Sequence, residues 1–147
     1  VVLGKALSGG FYPVSAFLAR RELMDVFTPG DHGSTFGGNP LGCAVARAAL
    51  RVLQDERLPA RAEETGAYFL QLLKELRSPL IKEVRGRGLW LAIELRESAR
   101  PYVEALMRAG VLCKETHDTV LRIAPPLTIE RSDIDWAMQR IRRVFER

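Results

Sequence analysis

The chain has 147 residues, of which 47% are hydrophobic and 27% are charged. These values are typical of a folded globular protein and exclude a wholly disordered chain. No apolar run approaches the roughly 20 residues that a membrane-spanning helix needs, and no secretory signal is visible, so we expect a cytoplasmic protein without a membrane partner.

The net charge is +4, from 22 Lys and Arg residues against 18 Asp and Glu residues. Nucleic-acid binding requires basic residues clustered on one face, with aromatic residues between them. The densest basic cluster is Arg140, Arg142 and Arg143, which shares its predicted helix with Asp133 and Glu146. We therefore expect no nucleic-acid partner.

Cysteine and histidine usage argues against a metal centre. Cys43 and Cys113 form no C-x-x-C motif, which excludes a zinc ribbon and a thioredoxin motif. The two histidines, His32 and His117, are too few for a histidine-based metal cluster. We expect no metal and two reduced, buried cysteines.

The first 38 residues predict short elements separated by turns. Residues 1–3 are apolar and β-branched and are typical of the end of a buried strand. Because the chain begins inside this element and without methionine, we expect a piece of a longer protein. Three glycines among residues 4–10 then predict a tight turn, followed by a strand at 13–19, a short helix at 20–27 and a loop at 28–38.

Helices dominate the next part of the chain. Asn39 is a preferred N-cap and Pro40 a preferred first helical residue, which predicts a helix running to about Gln54. A second helix begins at Leu58 and ends before Pro79.

The remaining residues alternate between strands and helices. We predict strands at residues 81–84, 89–95, 111–114 and 119–124, a turn at 85–88, and a helix at 98–109 that Gly110 closes. Ser132-x-x-Asp135 predicts a capping box for a final helix, whose apolar stripe is Ile134, Met138, Ile141 and Phe145. This order predicts an α/β or α+β lobe from about residue 58 onward.

Three features carry candidate chemistry, and each has a plainer alternative. Lys5 follows a strand, so partial burial would activate its amine as a nucleophile, or it is an ordinary surface lysine. The loop at 31–40 offers hydroxyls and backbone N–H groups that suit a phosphate, or it is a capped loop without a ligand. Arg122 interrupts an apolar strand, where it either clamps a carboxylate or faces water from an edge strand.

Four motifs occur in the order and rough spacing of one enzyme family: GKALSGG at 4–10, HGSTFGGNPL at 32–41, RGRGL at 85–89 and LRIAPPL at 121–127. In this combination the sequence resembles the class III aminotransferases, which depend on pyridoxal 5'-phosphate (PLP). Within the family it is most similar to the enzymes that act on ornithine, through YPVS at 12–15, PGDH at 29–32 and K-x-T-H at 114–117.

The resemblance implies roles for four residues. Lys5 would bond covalently to PLP and move a proton between the substrate and the cofactor. Ser34 and Thr35 would bind the PLP phosphate of the partner subunit, so the site would need a homodimer. Arg122 would clamp the α-carboxylate of 2-oxoglutarate or glutamate through its planar fork.

The implied reaction moves the δ-amino group of L-ornithine to 2-oxoglutarate and gives glutamate 5-semialdehyde and glutamate, in arginine metabolism and proline biosynthesis. The implied architecture is the PLP-dependent transferase fold type I, of the α/β class. Residues 1–57 would be the end of the large domain with its exit helix, and residues 58–147 the C-terminal small domain. Ile123 stands where the family pattern has Phe.

The family residues that hold the pyridine ring and select ornithine lie upstream of Lys5. We therefore expect the 147-residue chain alone to be inactive and poorly soluble. Two alternatives stay open. The amino donor would be acetylornithine or 4-aminobutyrate in another class III aminotransferase, or the chain would be a truncated form that only folds or dimerises.

Overall fold

A computed structural model describes residues 1–146, which form two compact units. Val1–Arg57 make up the first unit, and the second begins at Leu58. That these units are the end of a large domain and a small domain stays a prediction. None of the helices in residues 1–146 combines the length and the hydropathy that crossing a bilayer requires.

The first unit contains two very short strands, a 3₁₀ turn and two helices. Strand β1 (Val2–Leu3) pairs antiparallel with β2 (Ala16–Phe17). The 3₁₀ turn is Lys5–Ser8, helix α1 is Arg21–Met24 and helix α2 is Pro40–Asp55. The strand at β2 and the helix at α1 are both shorter than the sequence predicts.

Helix α2 begins where its capping residues predict. The Gly42 N–H donates to Asn39 Oδ1 at 2.7 Å, and Pro40 occupies the first helical position. The side chain of Asn39 thereby satisfies one of the backbone donors that a helix start leaves without a partner.

Burial in this unit differs from the expectation. Val2 is 79% exposed, so the predicted burial of the opening strand is wrong for the described residues. In residues 1–146, β1 pairs with β2 alone, and Leu3 is also 39% exposed. The predicted burial of the cysteines is also wrong for Cys43, which is exposed on α2, whereas Cys113 is half-buried.

The second unit combines a four-stranded antiparallel sheet with three helices. Its elements are α3 (Leu58–Lys74), β3 (Ile81–Arg87), β4 (Trp90–Leu95), α4 (Arg100–Arg108), β5 (Lys114–Thr116), β6 (Val120–Ile123) and α5 (Arg131–Phe145). The spatial order of the strands is β3–β4–β6–β5. Strand β6 is therefore an inner strand, with β4 on one side and β5 on the other.

One face of this sheet packs against the helices and forms the core. Leu91, Ile93 and Leu121 are completely buried and belong to one hydrophobic cluster with side chains of all three helices. The cluster includes the whole predicted stripe of α5, namely Ile134, Met138, Ile141 and Phe145. The sequence-based prediction of this stripe is confirmed.

The opposite face of the sheet, here named the open face, carries polar and charged side chains. Successive residues of a strand point to opposite faces, and cross-strand partners share a face. From the strand register, the open face consists of Glu83, Arg85, Arg87, Trp90, Ala92, Glu94, Lys114, Thr116, Val120 and Arg122.

The turn predicted at residues 85–88 is displaced. Arg85, Gly86 and Arg87 continue β3 and pair with β4, up to the partnership of Arg87 with Trp90. The chain reverses at Gly88 and Leu89 instead, because Gly88 has a φ of +52° that suits glycine.

Two further local predictions are wrong in their placement. The strand predicted at 111–114 lies at Lys114–Thr116, where it finds pairing partners on β6. Helix α5 begins after Glu130 rather than at the predicted Ser132 cap, and the Glu130 N–H donates to Asp133 Oδ2 at 3.4 Å. The acidic residue of the capping box is therefore Asp133 rather than the predicted Asp135, because its carboxylate accepts the N–H of the N-cap residue Glu130.

Helix α3 approaches the β3–β4 turn closely at a pair of glycines. A Cβ atom at Gly66 would lie 2.1 Å from the carbonyl oxygen of Gly88 and 2.2 Å from its carbonyl carbon. These are backbone atoms, which cannot rotate aside as a side chain can. The helix and the turn can therefore pack at this distance only if residue 66 has no side chain.

We predict that Gly66→Ala destabilises the protein, although the same change inside a helix usually stabilises it by about 1 kcal/mol. Overpacking against backbone typically costs about 1–3 kcal/mol, which reverses the sign. Thermal and urea unfolding measure the effect, with Glu64→Ala at an exposed position of α3 as the control. A Gly66→Ala protein as stable as the control would contradict the prediction.

Candidate active site

Lys5 follows β1 after Gly4, in a loop that backbone hydrogen bonds stabilise. Its φ of +51° falls in the left-handed region, which costs a residue with a side chain about 1–3 kcal/mol. The Leu7 N–H donates to the Gly4 carbonyl at 3.1 Å, and the Gly9 N–H donates to the Ala6 carbonyl at 2.9 Å. Strain of this kind concentrates at functional sites. The partial burial expected for Lys5 is absent in the described residues, since the residue is exposed.

Ser8 fixes the far end of this loop, and the sequence analysis missed it. The residue is 1% exposed, its hydroxyl donates to the Tyr12 carbonyl, and it accepts the Tyr12 N–H at 3.2 Å. The available signal in the sequence was a serine between an apolar residue, Leu7, and two glycines. A hydroxyl buried at such a position needs hydrogen-bond partners.

Ser34 and Thr35 lie in the exposed loop that precedes α2. Ser34 Oγ accepts the Gly37 N–H at 2.9 Å, an interaction that leaves the hydroxyl proton of Ser34 available to another acceptor. The Thr35 hydroxyl makes no hydrogen bond to any residue in 1–146. Two neighbouring exposed hydroxyls in a loop that leads into a helix suit a phosphate group.

The start of this loop is ordered by Asp31. The backbone N–H and the hydroxyl of Thr28 both donate to Asp31 Oδ2, at 2.7 Å and 2.8 Å. These hydrogen bonds, the backbone one foremost, hold the pKa of Asp31 below its usual value. The carboxylate therefore stays ionised and keeps the turn closed at neutral pH.

Arg122 lies in the middle of the open face. Its cross-strand partners are Ala92 on β4 and Lys114 on β5. Its side chain is exposed, and within residues 1–146 the guanidinium makes no hydrogen bond or ion pair. Of the alternative interpretation from the sequence, the edge-strand position is wrong, because strands flank β6 on both sides, but the side chain does face water.

An open depression of about 690 Å³ adjoins Arg122. Its lining residues all belong to β3, β4, β5 and β6, and they are Arg85, Gly86, Arg87, Trp90, Ala92, Thr116, Val120 and Arg122. Ala92 is small and leaves room beside its cross-strand partners Arg85 and Arg122, while Trp90 contributes an exposed apolar surface. A small organic anion fits this combination of guanidinium and apolar surface.

Glu94 occupies the same face as Arg122 but is paired elsewhere. Lys82 Nζ lies 2.5 Å from Glu94 Oε1, and Arg85 donates to Glu94 Oε2 at 2.6 Å. These bonds, with Lys82 the larger cause, hold the pKa of Glu94 below its usual value. The hydrogen bond to Glu94 likewise raises the pKa of Arg85.

A second ion pair neutralises the far edge of the sheet. Lys114 Nζ lies 2.9 Å from Glu115 Oε1, and Arg100 donates to the same oxygen at 2.8 Å. The bond from Lys114 is the largest of the causes that lower the pKa of Glu115 to about 2. Lys82, Arg85 and Lys114 therefore have carboxylate partners on this side of the sheet, whereas Arg122 and Arg87, which both line the depression, have none in residues 1–146.

The predicted site residues do not all lie in one unit. Lys5 and the Ser34–Thr35 pair occupy separate loops of the first unit, and Arg122 belongs to the second. Another potential nucleophile, Cys113, is unsuited to that role, because burial raises the pKa of its thiol to about 11 and keeps it protonated at neutral pH. No cluster of metal-binding side chains exists within the described part of the chain.

The match to a known family extends over nearly all of the sequence. The family model described as aminotransferase class-III matches residues 1–145. The chain belongs to the class III aminotransferases. It therefore has the fold of that family, PLP-dependent transferase fold type I, as the sequence resemblance predicts.

Relatives and solved structures agree with this family. The chain is 61% identical over 145 residues to "Ornithine aminotransferase 2" of Staphylococcus aureus (strain Mu50 / ATCC 700699), covering 99% of this chain and 37% of the relative. It is 59% identical over 144 residues to "Ornithine aminotransferase" of Brevibacillus brevis, covering 98% of this chain and 36% of the relative. The chain thus spans little more than a third of the length of these relatives.

Two solved structures superpose on the chain with a TM-score of 0.92. One is an ornithine aminotransferase from Toxoplasma gondii, described with partial occupancy of PLP at its active site, which is 48% identical and is covered over 35% of its length. The other is an acetylornithine aminotransferase from Elizabethkingia anophelis, which is 47% identical and is covered over 40%. Each match covers 99% of this chain.

We predict that Lys82→Met raises the pKa of Glu94 toward its usual value, because the largest cause of its lowering is removed. In the natural protein the Glu94 pKa is lower folded than unfolded, so the stabilisation from this pairing is present at neutral pH. It is lost as the pH falls through the lowered pKa. Carbon-detected NMR titration of the glutamate carboxyls measures the change, with Lys74→Met as the control. An unchanged Glu94 titration in Lys82→Met would contradict the assignment.

Proposed function

We propose that the protein containing this chain is an aminotransferase that moves the δ-amino group of L-ornithine to 2-oxoglutarate. The products would be glutamate 5-semialdehyde and glutamate, in arginine metabolism and proline biosynthesis. The observation that carries the proposal is Arg122, a guanidinium without a partner in residues 1–146 beside a depression that fits a small carboxylate. Identities of 58–61% to proteins named ornithine aminotransferases support the choice of amino donor.

Lys5 is the residue we propose to hold PLP and to carry out proton transfer. The first unit fits the cofactor, since it offers an exposed primary amine on a strained loop and two exposed hydroxyls at the start of a helix. When bound, PLP supplies an electron sink for the bond changes at the substrate carbon. Lys5 Nζ would bond to the cofactor and would later take up and return the proton of that carbon.

Ser34 and Thr35 are the residues we propose to bind the PLP phosphate of a partner subunit. The Ser34 hydroxyl keeps its proton available, because it acts as the acceptor in its hydrogen bond with the Gly37 N–H. The exposed Thr35 hydroxyl adds a further donor. Under this proposal the active site is completed only in a homodimer. A cytoplasmic location remains part of the proposal.

Arg122 is the residue we propose to bind the α-carboxylate of 2-oxoglutarate and glutamate. Its fork presents two parallel N–H donors, which match the two oxygens of a carboxylate. Lysine would offer a point charge without this geometry. The neighbouring Ala92 leaves space for the carbon chain of the acid.

We predict that PLP labels Lys5 selectively. The purified chain is incubated with PLP, reduced with borohydride to make any lysine–PLP bond permanent, and mapped by peptide mass spectrometry. One adduct at Lys5, lost in Lys5→Ala, is the expected result because this loop fits the cofactor. Scattered labelling of Lys74, Lys82 and Lys114 would show that the chain itself holds no PLP site.

A second candidate amino donor is acetylornithine. The solved acetylornithine aminotransferase from Elizabethkingia anophelis superposes on this chain as well as the ornithine aminotransferase from Toxoplasma gondii does. The described residues therefore do not by themselves separate the two donors.

We predict that the full natural protein prefers L-ornithine over N-acetylornithine and 4-aminobutyrate by at least about tenfold in kcat/KM. The reason is its higher identity to relatives named for ornithine. Glutamate formation from 2-oxoglutarate is measured with each donor at equal concentration. A preference for N-acetylornithine would establish the second candidate, and no turnover with any donor would favour a non-catalytic chain.

A further inference from the structure

A β-bulge lies beside Glu94, the carboxylate of β4 that shares the open face with Arg122. Along the β3–β4 ladder Ile81 pairs with Leu95, but the next pair is Glu83 with Glu94, so Lys82 is the extra residue. Bulges re-aim side chains and are frequent next to active sites. Here the bulge brings Lys82 Nζ to 2.5 Å from Glu94 Oε1.

The second oxygen of Glu94 is also engaged. Arg85 donates to Glu94 Oε2 at 2.6 Å and to Glu83 Oε2 at 2.7 Å. Both oxygens of Glu94 are therefore directed toward β3, away from β6. The Glu94 side chain is only 18% exposed, so it has little freedom to change partners while these cations hold it.

Without these two cations, Glu94 would have a different partner within reach. Arg122 pairs in register with Ala92, and Glu94 follows Ala92 by two residues on the same face of β4. Such diagonal neighbours on adjacent antiparallel strands are close enough for long side chains to meet. Glu94 and Arg122 have opposite charges and long side chains, so an ion pair between them is the competing arrangement.

We propose that Lys82 and Arg85 are positioning residues that act through Glu94: by holding both of its oxygens, they keep this carboxylate off Arg122 and leave the guanidinium open to the substrate carboxylate. The inference rests on the proposed function of Arg122. It assigns to the bulge and to the first arginine of the RGRGL motif a part in binding the keto acid. Neither residue touches the substrate in this scheme.

The test measures KM and kcat of the full natural protein for 2-oxoglutarate and for L-ornithine. In Lys82→Met/Arg85→Met we expect KM for 2-oxoglutarate to rise about three- to tenfold, because the released Glu94 competes for Arg122. We expect kcat and KM for L-ornithine to change less than about twofold. Adding Glu94→Gln to this double variant should restore KM for 2-oxoglutarate to within about twofold of the natural protein.

Two control variants test the role of Lys82 and Arg85 separately from the proposed role of Arg122. Lys74→Met/Arg142→Met removes two positive charges and the Arg142–Glu75 ion pair on the helical side of the second unit, and it should leave KM unchanged. Arg122→Lys should raise KM for 2-oxoglutarate at least about tenfold, since it loses the planar fork.

The outcomes are distinct. If Arg122→Lys leaves KM for 2-oxoglutarate unchanged, the proposed function of Arg122 fails, and the inference fails with it. If Arg122→Lys raises KM but Lys82→Met/Arg85→Met does not, only the inference is overturned. If the double variant raises KM and Glu94→Gln fails to rescue it, the two cations act directly or through folding, which also overturns the inference.

Discussion

The burial of one face of the antiparallel sheet determines where the charged side chains of the second unit lie. Leu91, Ile93 and Leu121 are completely buried against helices, so the residues that alternate with them along the strands must face the other way. Arg122 is one of those residues. A slip of β6 by one position would bury its guanidinium without a partner and expose Leu121, which is costly on both counts. The register of the sheet and the proposed carboxylate site are therefore set by the same apolar contacts.

The ion pairs of the open face matter more for geometry than for stability. Exposed pairs typically contribute less than about 1 kcal/mol, so the Lys82–Glu94 and Arg85–Glu94 pairs add little to the folding free energy. Their effect is that Lys82 and Arg85, rather than other cations of this face, are neutralised by Glu94. Lys114 is neutralised in the same way by Glu115, and Arg122 remains as a cation without a carboxylate partner in the described residues. Arg87, which lines the same depression, also has none there, so a face with many charges presents two unpaired guanidinium groups to an incoming anion.

Within residues 1–146, local hydrogen bonds rather than a large core hold the first unit together. Its Lys5 loop is held by backbone hydrogen bonds and by the buried hydroxyl of Ser8, whereas Val2 and Phe36 are 79% and 77% exposed. The left-handed conformation of Lys5 persists because these bonds over-determine it. The position of the proposed cofactor lysine therefore depends on Ser8 and the glycines around it, which contribute no chemistry of their own.

Features that depend on short-range signals could be predicted from the amino-acid sequence. Asn39 and Pro40 placed the start of α2, the spacing of Ile134 and Met138 predicted the buried face of α5, and four motifs in order identified the family. Other features depend on the three-dimensional fold. It made residues 85–87 a strand rather than a turn, placed Arg122 on an inner strand, and turned Glu94 toward Lys82. These features depend on pairing between strands distant in sequence and on a bulge in one of them, and neither leaves a periodic signal in the chain.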